Sequence, residues 1–158
     1  MQDKLQNKSQ EALKKAHDYV KLAAHILNTT YKVVSEPKVL LLVIENTFLA
    51  STNAIAALLY AERKRKTIPP FHDSFNSKYY IFSEKIAADH KFTKEEYTYI
   101  EDLRNILLLE KKSPVEFTRK DDYILCDEDY DITKITLTDT QKYLEKTTHL
   151  IKRVELLV

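Results

Sequence analysis

Val39-Leu40-Leu41-Leu42-Val43-Ile44, then Phe48-Leu49-Ala50, then Ala54-Ile55-Ala56-Ala57-Leu58-Leu59-Tyr60-Ala61: this stretch decides the fold. Its apolar residues point in nearly every direction around a helix, and a helix without a polar face must be covered on several sides. The pattern predicts a long helix from about Glu36 to Arg65 inside a bundle. Its exceptions, Glu45-Asn46 and Thr52-Asn53, recur at seven residues and form one stripe. That stripe reads as a polar seam between packed helices or subunits, because buried polar groups can fix register.

Upstream, apolar or small residues at Leu13, Ala16, Val20, Ala23, Leu27, Thr30 and Val34 alternate in steps of three and four, the seam of a long helix packed along a neighbour. This predicts a first helix over about residues 4–33. Ser35-Glu36-Pro37 supplies a stop and a restart, with Ser35 as N-cap and proline in the first turn. Downstream, Glu62 to Lys66 closes the central helix with four cations that complement its dipole. Thr67-Ile68-Pro69-Pro70 is the clearest break in the chain. A third helix follows Asp73, with Phe75, Tyr79, Phe82 and Ile86 on one face. Thr93-Lys94-Glu95-Glu96 is a capping box opening a fourth helix, with Tyr97, Ile100, Leu103 or Arg104, and Leu107 inward, and Ser113-Pro114 ends it.

Val115 to Thr118 and Tyr123 to Cys126 look extended around a turn at Arg119 to Asp122, which predicts a small β-hairpin or an ordered loop. Thr138-Asp139-Thr140-Gln141 reads as a second capping box, starting a last helix whose period is Leu144, Thr148, Ile151, Val154 and Val158. The expected fold is an all-α single domain over residues 1–158: an up-and-down antiparallel bundle of about five helices, with the hairpin or loop before the last.

Composition narrows the function classes. The 158 residues suit one domain, and 44% hydrophobic with 31% charged residues is enough for a core. Glycine is absent, where average usage of about 7% would supply roughly 11. Without it there is no Walker A loop, no dinucleotide fingerprint and no EF-hand turn. A net charge of +1 gives no overall field for polyanions, so nucleic-acid affinity would rest on local density at Arg63 to Lys66, Lys111-Lys112 and Arg119-Lys120. The single Cys126 fits a reducing compartment and reads as packing rather than nucleophile. Met1 to Leu5 does not open a signal peptide, and the run Val39 to Ile44 is too short to span a bilayer, so a cytoplasmic protein with no membrane contact is expected.

The acidic run Asp127 to Asp131 has carboxylates at alternate positions, but Ile132 stands where a calcium loop needs glycine and Thr138 where it needs glutamate. It reads as a solvated loop. His17 and His25 are too far apart for a helical metal pair, and His72, His90 and His149 are scattered, so no metal and no cofactor are expected.

Two long opening helices, the alanine-rich run Thr52-Asn53-Ala54-Ile55-Ala56-Ala57-Leu58-Leu59-Tyr60 and Arg104-Asn105 on the fourth helix together resemble the HEPN superfamily (higher-eukaryote and prokaryote nucleotide-binding domains). The resemblance covers roughly residues 5–112 and the final helix. Ribonuclease members of that family carry arginine, a polar residue and a histidine after roughly four to six positions. They cleave RNA without metal, the arginine and histidine meeting across a dimer. Here the commonest histidine position holds Leu109, so the resemblance implies a member without the catalytic histidine. Arg65 and His72 match the spacing formally, but Pro69 and Pro70 between them prevent a shared helix face.

The expected function is a non-catalytic binding or interaction module, contacting nucleotide or RNA phosphate through Arg104, with Arg63, Lys64, Arg65 and Lys66 as further cationic contacts. The alternatives are a metal-independent ribonuclease using an unrecognised histidine, with Arg104, Asn105, His72 and Arg65 as candidates, and a helical scaffold subunit docking another protein. A homodimer is expected from lengths: the first two helices run roughly 45 Å and the next two nearer 25 Å, too short to cover the apolar second helix. The segment 115–137 is the internal alternative as a cover.

Overall fold

The computed structural model describes residues 1–113 and 115–158. It is 71% helical, with five helices and a small antiparallel sheet before the last one. Helix α1 (Gln2–His25) continues through a π-turn (Ile26–Thr30) into a last turn (Tyr31–Val34). Helix α2 is Val39–Lys64. Helix α3 (Phe75–Ile81) is prolonged by a second π-turn (Phe82–Ile86) and by Ala87–Asp89. A 3₁₀ turn (Lys94–Glu96) leads to α4 (Tyr99–Lys112). Strands β1 (Val115–Arg119), β2 (Asp122–Cys126) and β3 (Ile132–Ile135) precede α5 (Leu137–Leu157).

Helix α2 is the centre, as its composition requires. It packs most extensively on α1 and also on α5, α4 and α3. Small residues line the tightest contact: Ser9, Ala12, Ala16 and Ala23 of α1 are buried, as are Ala50, Ala54 and Ala57 of α2. The Ser9 hydroxyl donates to the Ala57 carbonyl at 2.7 Å across it. The expected seam of α1 holds at its centre, where Ala16, Ala23 and Leu27 are buried; upstream Ala12 rather than Leu13 takes the innermost place, Val20 and Thr30 are half-buried, and Val34 is exposed. Helix α5, the second long helix after α1, packs along α2 and covers part of the apolar surface from which a partner was expected. Among the large apolar residues of α2 only Leu42 stays exposed. By length and composition α2 is the one described helix that could cross a membrane, and 56% of that stretch is buried in the bundle.

Several boundaries depart from the sequence reading. Ser35 is not an N-cap; it ends α1 in the left-handed region (φ 54, ψ 31), its N–H donating to the Tyr31 carbonyl at 2.8 Å. With no glycine available, Lys66 and Lys91 take the same role after α2 and α3, at φ 65 and φ 58. Each is followed by a six-to-one closure: Thr67 N–H to the Glu62 carbonyl at 3.1 Å, and Phe92 N–H to the Ala87 carbonyl at 2.7 Å. The Thr93–Glu96 capping box is present, but it caps the 3₁₀ turn, and α4 proper starts at Tyr99. The last helix is capped by Thr136, whose Oγ1 accepts from the Asp139 N–H at 3.0 Å, rather than by Thr138. Its inward residues are Thr140, Thr147, Leu150, Ile151 and Val154, while Thr148 and Val158 are exposed. Ser113 turns the chain extended after α4; Pro114, the other half of the expected stop, lies outside the described residues.

The expected hairpin exists and has a third strand, in the order β1-β2-β3. Alternation hides β3 in the sequence because its four residues, Ile132 to Ile135, sit beside the acidic run. That run makes the β2–β3 turn: the Asp127 carboxylate accepts from the N–H groups of Asp129 and Asp131 at 2.9 and 2.8 Å. The fold is thus mostly helical rather than purely helical.

Candidate functional site

The polar stripe predicted on α2 is not a buried seam. Asn46, Thr52 and Asn53 are half-buried and Glu45 is exposed, and the first three donate to carbonyls of their own helix. The buried polar seam lies beside it. Ser51, Tyr99 and Thr147, from α2, α4 and α5, close a triangle of hydroxyls at 3.1, 2.9 and 2.8 Å. Burial raises the Tyr99 hydroxyl to about 12, against the lowering effect of Ser51 and Thr147. All three are fully enclosed, so the triangle locks the register of three helices and offers nothing to a ligand.

Thr52 and Asn53 instead help to wall a furrow. Three adjoining hollows of about 370, 140 and 410 Å³ follow one another along the surface. The first is lined by Lys8, Lys15, Asn53, Tyr60, Asp73 and Lys78, among others. The second shares Lys78 and adds Phe48, Thr52, Ile55, Phe75 and Tyr79. The third shares Phe75 and Tyr79 and ends on α4, where Arg104 and Asn105 face Asn76, Tyr80, Ser83, Glu84 and Glu101.

Aromatic packing builds this end. Phe48, Phe75, Tyr79 and Tyr97 form a chain of ring contacts at 5.3 to 6.3 Å. The Arg104 guanidinium lies 4.8 Å from the Phe75 ring centre and is half-buried. Among the described residues no carboxylate pairs with Arg104, although Glu101 is three residues away on the same helix. Tyr80 stands 66% exposed at the rim. Lys78 is committed to Asp73, and Lys78 in turn, with Lys8 and Lys15 adding to it, holds the Asp73 carboxyl below its ordinary value.

The other arginines are in a different situation. Arg65 reaches the Glu62 carboxylate at 3.1 Å and the Leu157 carbonyl, and His72 is exposed without a hydrogen-bond partner among the described residues. No hydrogen bond joins Arg65 to His72 among the described residues. The histidine that shares the carboxylate of Arg65 is His90, whose Nε2 is 2.6 Å from the same Glu62 oxygen. Thr67 completes the shell of Glu62, which is 5% exposed. Burial pushes the Glu62 carboxyl up, but Thr67, His90 and Arg65 together bring it below its ordinary value. Arg153 links this cluster to a second one. It donates to both Glu96 oxygens at 2.9 and 2.8 Å and to the His90 carbonyl at 2.8 Å, and His149 meets Glu96 at 3.0 Å. Burial opposes ionisation of Glu96, yet the Thr93 N–H, Arg153 and His149 bring it down to about 2.

Sequence reading missed His90, Glu62, Glu96 and Arg153 because their meeting is long-range: 28 residues separate Glu62 from His90 and 57 separate Glu96 from Arg153. Of the cationic run, Lys64 pairs with Gln6 at 2.7 Å and Arg65 with Glu62, while Arg63 and Lys66 have no partner among the described residues. Cys126 is buried in β2, its Sγ 3.7 Å from the Asp127 carbonyl, which is a packing role. Among the described residues no three His, Cys, Asp or Glu side chains converge as a metal site would need. No protein-family model matches the chain, and neither the curated proteins nor the solved structures gave a match.

Proposed function

We propose that the chain is a non-catalytic binding module with an HEPN-like, up-and-down helical architecture, and that the furrow between α3 and α4 takes a short single-stranded segment of nucleic acid. The observation that carries this reading is Arg104: half-buried, laid over Phe75, unpaired by any described carboxylate, and walling a hollow of about 410 Å³. A guanidinium oriented by stacking keeps its N–H fork for a phosphate or a base edge. Tyr80 supplies an exposed ring for base stacking, and Asn76, Ser83 and Asn105 supply hydrogen-bonding groups. Lys8, Lys15 and Lys78 continue the track along the adjoining hollow.

Four cations, Lys8, Lys15, Lys78 and Arg104, share the track with four carboxylates, Glu11, Asp73, Glu84 and Glu101. Binding is then weak, because the carboxylates offset much of the cationic attraction, and it is sensitive to salt to the extent that the few cations still displace counterions from phosphates. Nothing in this reading breaks a bond. Among the described residues no histidine lines the furrow beside Arg104, and Leu109 stands where an HEPN ribonuclease would carry one.

The test is fluorescence anisotropy with a labelled oligouridylate at about 50 mM and about 200 mM salt. Micromolar affinity is expected at the lower salt, with at least a tenfold loss at the higher salt or on Arg104→Ala. RNA should remain intact in the presence of chelator. Affinity unchanged by Arg104→Ala refutes the furrow; metal-free cleavage refutes the non-catalytic reading.

A further inference from the structure

The sheet has two faces with different fates. Directly opposed residues of an antiparallel pair share a face, so Phe117 lies with Ile124 and Val115 with Cys126. On the opposite face Tyr123, Leu125 and Ile135 belong to the main core. Val115 and Phe117 therefore share the face away from the main core with Ile124 and Cys126; those two are buried in the middle strand, while Val115 and Phe117 at the edge remain 47% and 43% exposed. All five residues of β1 are exposed, and no strand lies on its outer side among the described residues. Strand β3, the other edge, differs: Ile135 is buried and Thr133 half-buried. An open edge that also carries outward apolar side chains is a feature that natural monomers suppress.

The ladder dictates which groups that edge offers. Lys120 and Asp121 alone separate the paired residues Arg119 and Asp122, and the closing pair of a two-residue turn is hydrogen-bonded. Alternation then points the backbone groups of 115, 117 and 119 at β2, and those of Glu116 and Thr118 outward. We propose that β1 is a self-association edge, on which two copies of this chain pair antiparallel about Phe117 into one six-stranded sheet.

A two-fold axis through Phe117 sets Glu116 against the partner's Thr118, and Thr118 against the partner's Glu116, so all outward groups of both residues find partners. The two Phe117 rings meet at a non-hydrogen-bonded position, where side chains approach most closely. Val115 lies along the stem of the partner's Arg119. No like charges oppose each other, and a chain of net charge +1 does not repel its copy. A strand-to-strand contact of this size makes a concentration-dependent dimer rather than a permanent one.

The test combines sedimentation velocity over a dilution series with cross-linking at the axis. Wild-type protein should shift from 18.5 kDa at low concentration to about twice that at high concentration. Thr118→Pro removes an outward N–H without touching the β2 ladder, and should abolish the shift with the helical circular dichroism intact. In a Cys126→Ala background, Phe117→Cys places two thiols on Cα atoms about 4.5 Å apart, within the disulfide range. Mild oxidation should then link copies at least tenfold faster than for Tyr80→Cys in the same background. A wild type that is monomeric at every concentration overturns the proposal. So does a dimer that survives Thr118→Pro, or a Phe117→Cys protein that links no faster than Tyr80→Cys.

Discussion

Arg153 and Arg104 are both arginines laid over a phenylalanine ring, 4.0 Å from the centre of Phe92 and 4.8 Å from that of Phe75. They differ in what they leave over. Arg153 has both Glu96 oxygens and the His90 carbonyl, so its donors are spent inside the fold. Arg104 has the ring alone, and its fork opens onto a furrow. The same side chain is a fastening in one place and a receptor in the other. What separates the two is whether a carboxylate was brought within reach by tertiary packing. A similar contrast holds between Arg65, bound to Glu62, and the exposed Lys66 next to it.

The contrast can be broken first at Glu62. Its carboxylate is buried and holds His90, Arg65 and Thr67, so Glu62→Ala leaves those groups without their common acceptor. Removing one partner of a buried charge cluster costs about 3–5 kcal/mol, and urea unfolding should show a loss of that order. A loss below about 1 kcal/mol would make the cluster a surface decoration. The fastened end should also respond to acid. The Glu96 carboxyl is held at about 2 in the fold against an ordinary 4.5, so its contribution is complete above about pH 4.5 and disappears as the pH falls toward 2. Glu62 is lowered too, and adds to the same acid limb. Thermal melts of Glu96→Gln should therefore converge with wild type at the acid end and fall below it near neutrality. A constant gap across that range would mean that the charge of Glu96 is not what Arg153 and His149 need. The smallest effect belongs to the furrow. Arg104→Ala removes one stacking contact, worth about 0.5–1 kcal/mol, and should barely alter the melting temperature. A large loss of stability would show Arg104 to be a second fastening and would remove the contrast.

The acid-labile cluster and the furrow were unequally legible. Arg104 and Asn105 could be named from the sequence only through the resemblance to the HEPN motif, not from any property of their helix. The Glu62–His90 pair carried no local signal, since neither its spacing nor its neighbours mark it. Thr93 and Glu96 show the intermediate case. Their capping box was readable from four residues, but the same Glu96 also binds Arg153, a contact no window around it contains. Arg65 and His72 show the converse: a formal match in spacing, already interrupted by Pro69 and Pro70, says nothing of where Arg65 goes, which is to a buried carboxylate one turn back.

From sequence alone α2 had to be central, since a helix apolar on all sides has no stable exposed position, and about five helices were expected, broken at Ser35, at Thr67 to Pro70, before Thr93 and after Ser113. The sequence also determined where the outward turn of β1 would fall, because Arg119 to Asp122 lies between two alternating runs. Only the tertiary structure decided who covers α2. A hydrophobic face specifies that it will be buried, not against what, and α5, which the comparison of helix lengths left out, packs along α2 beside α1. It also decided which charges are spent and which are left over, because pairing depends on distances between residues dozens of positions apart, and those distances exist only once the helices have packed.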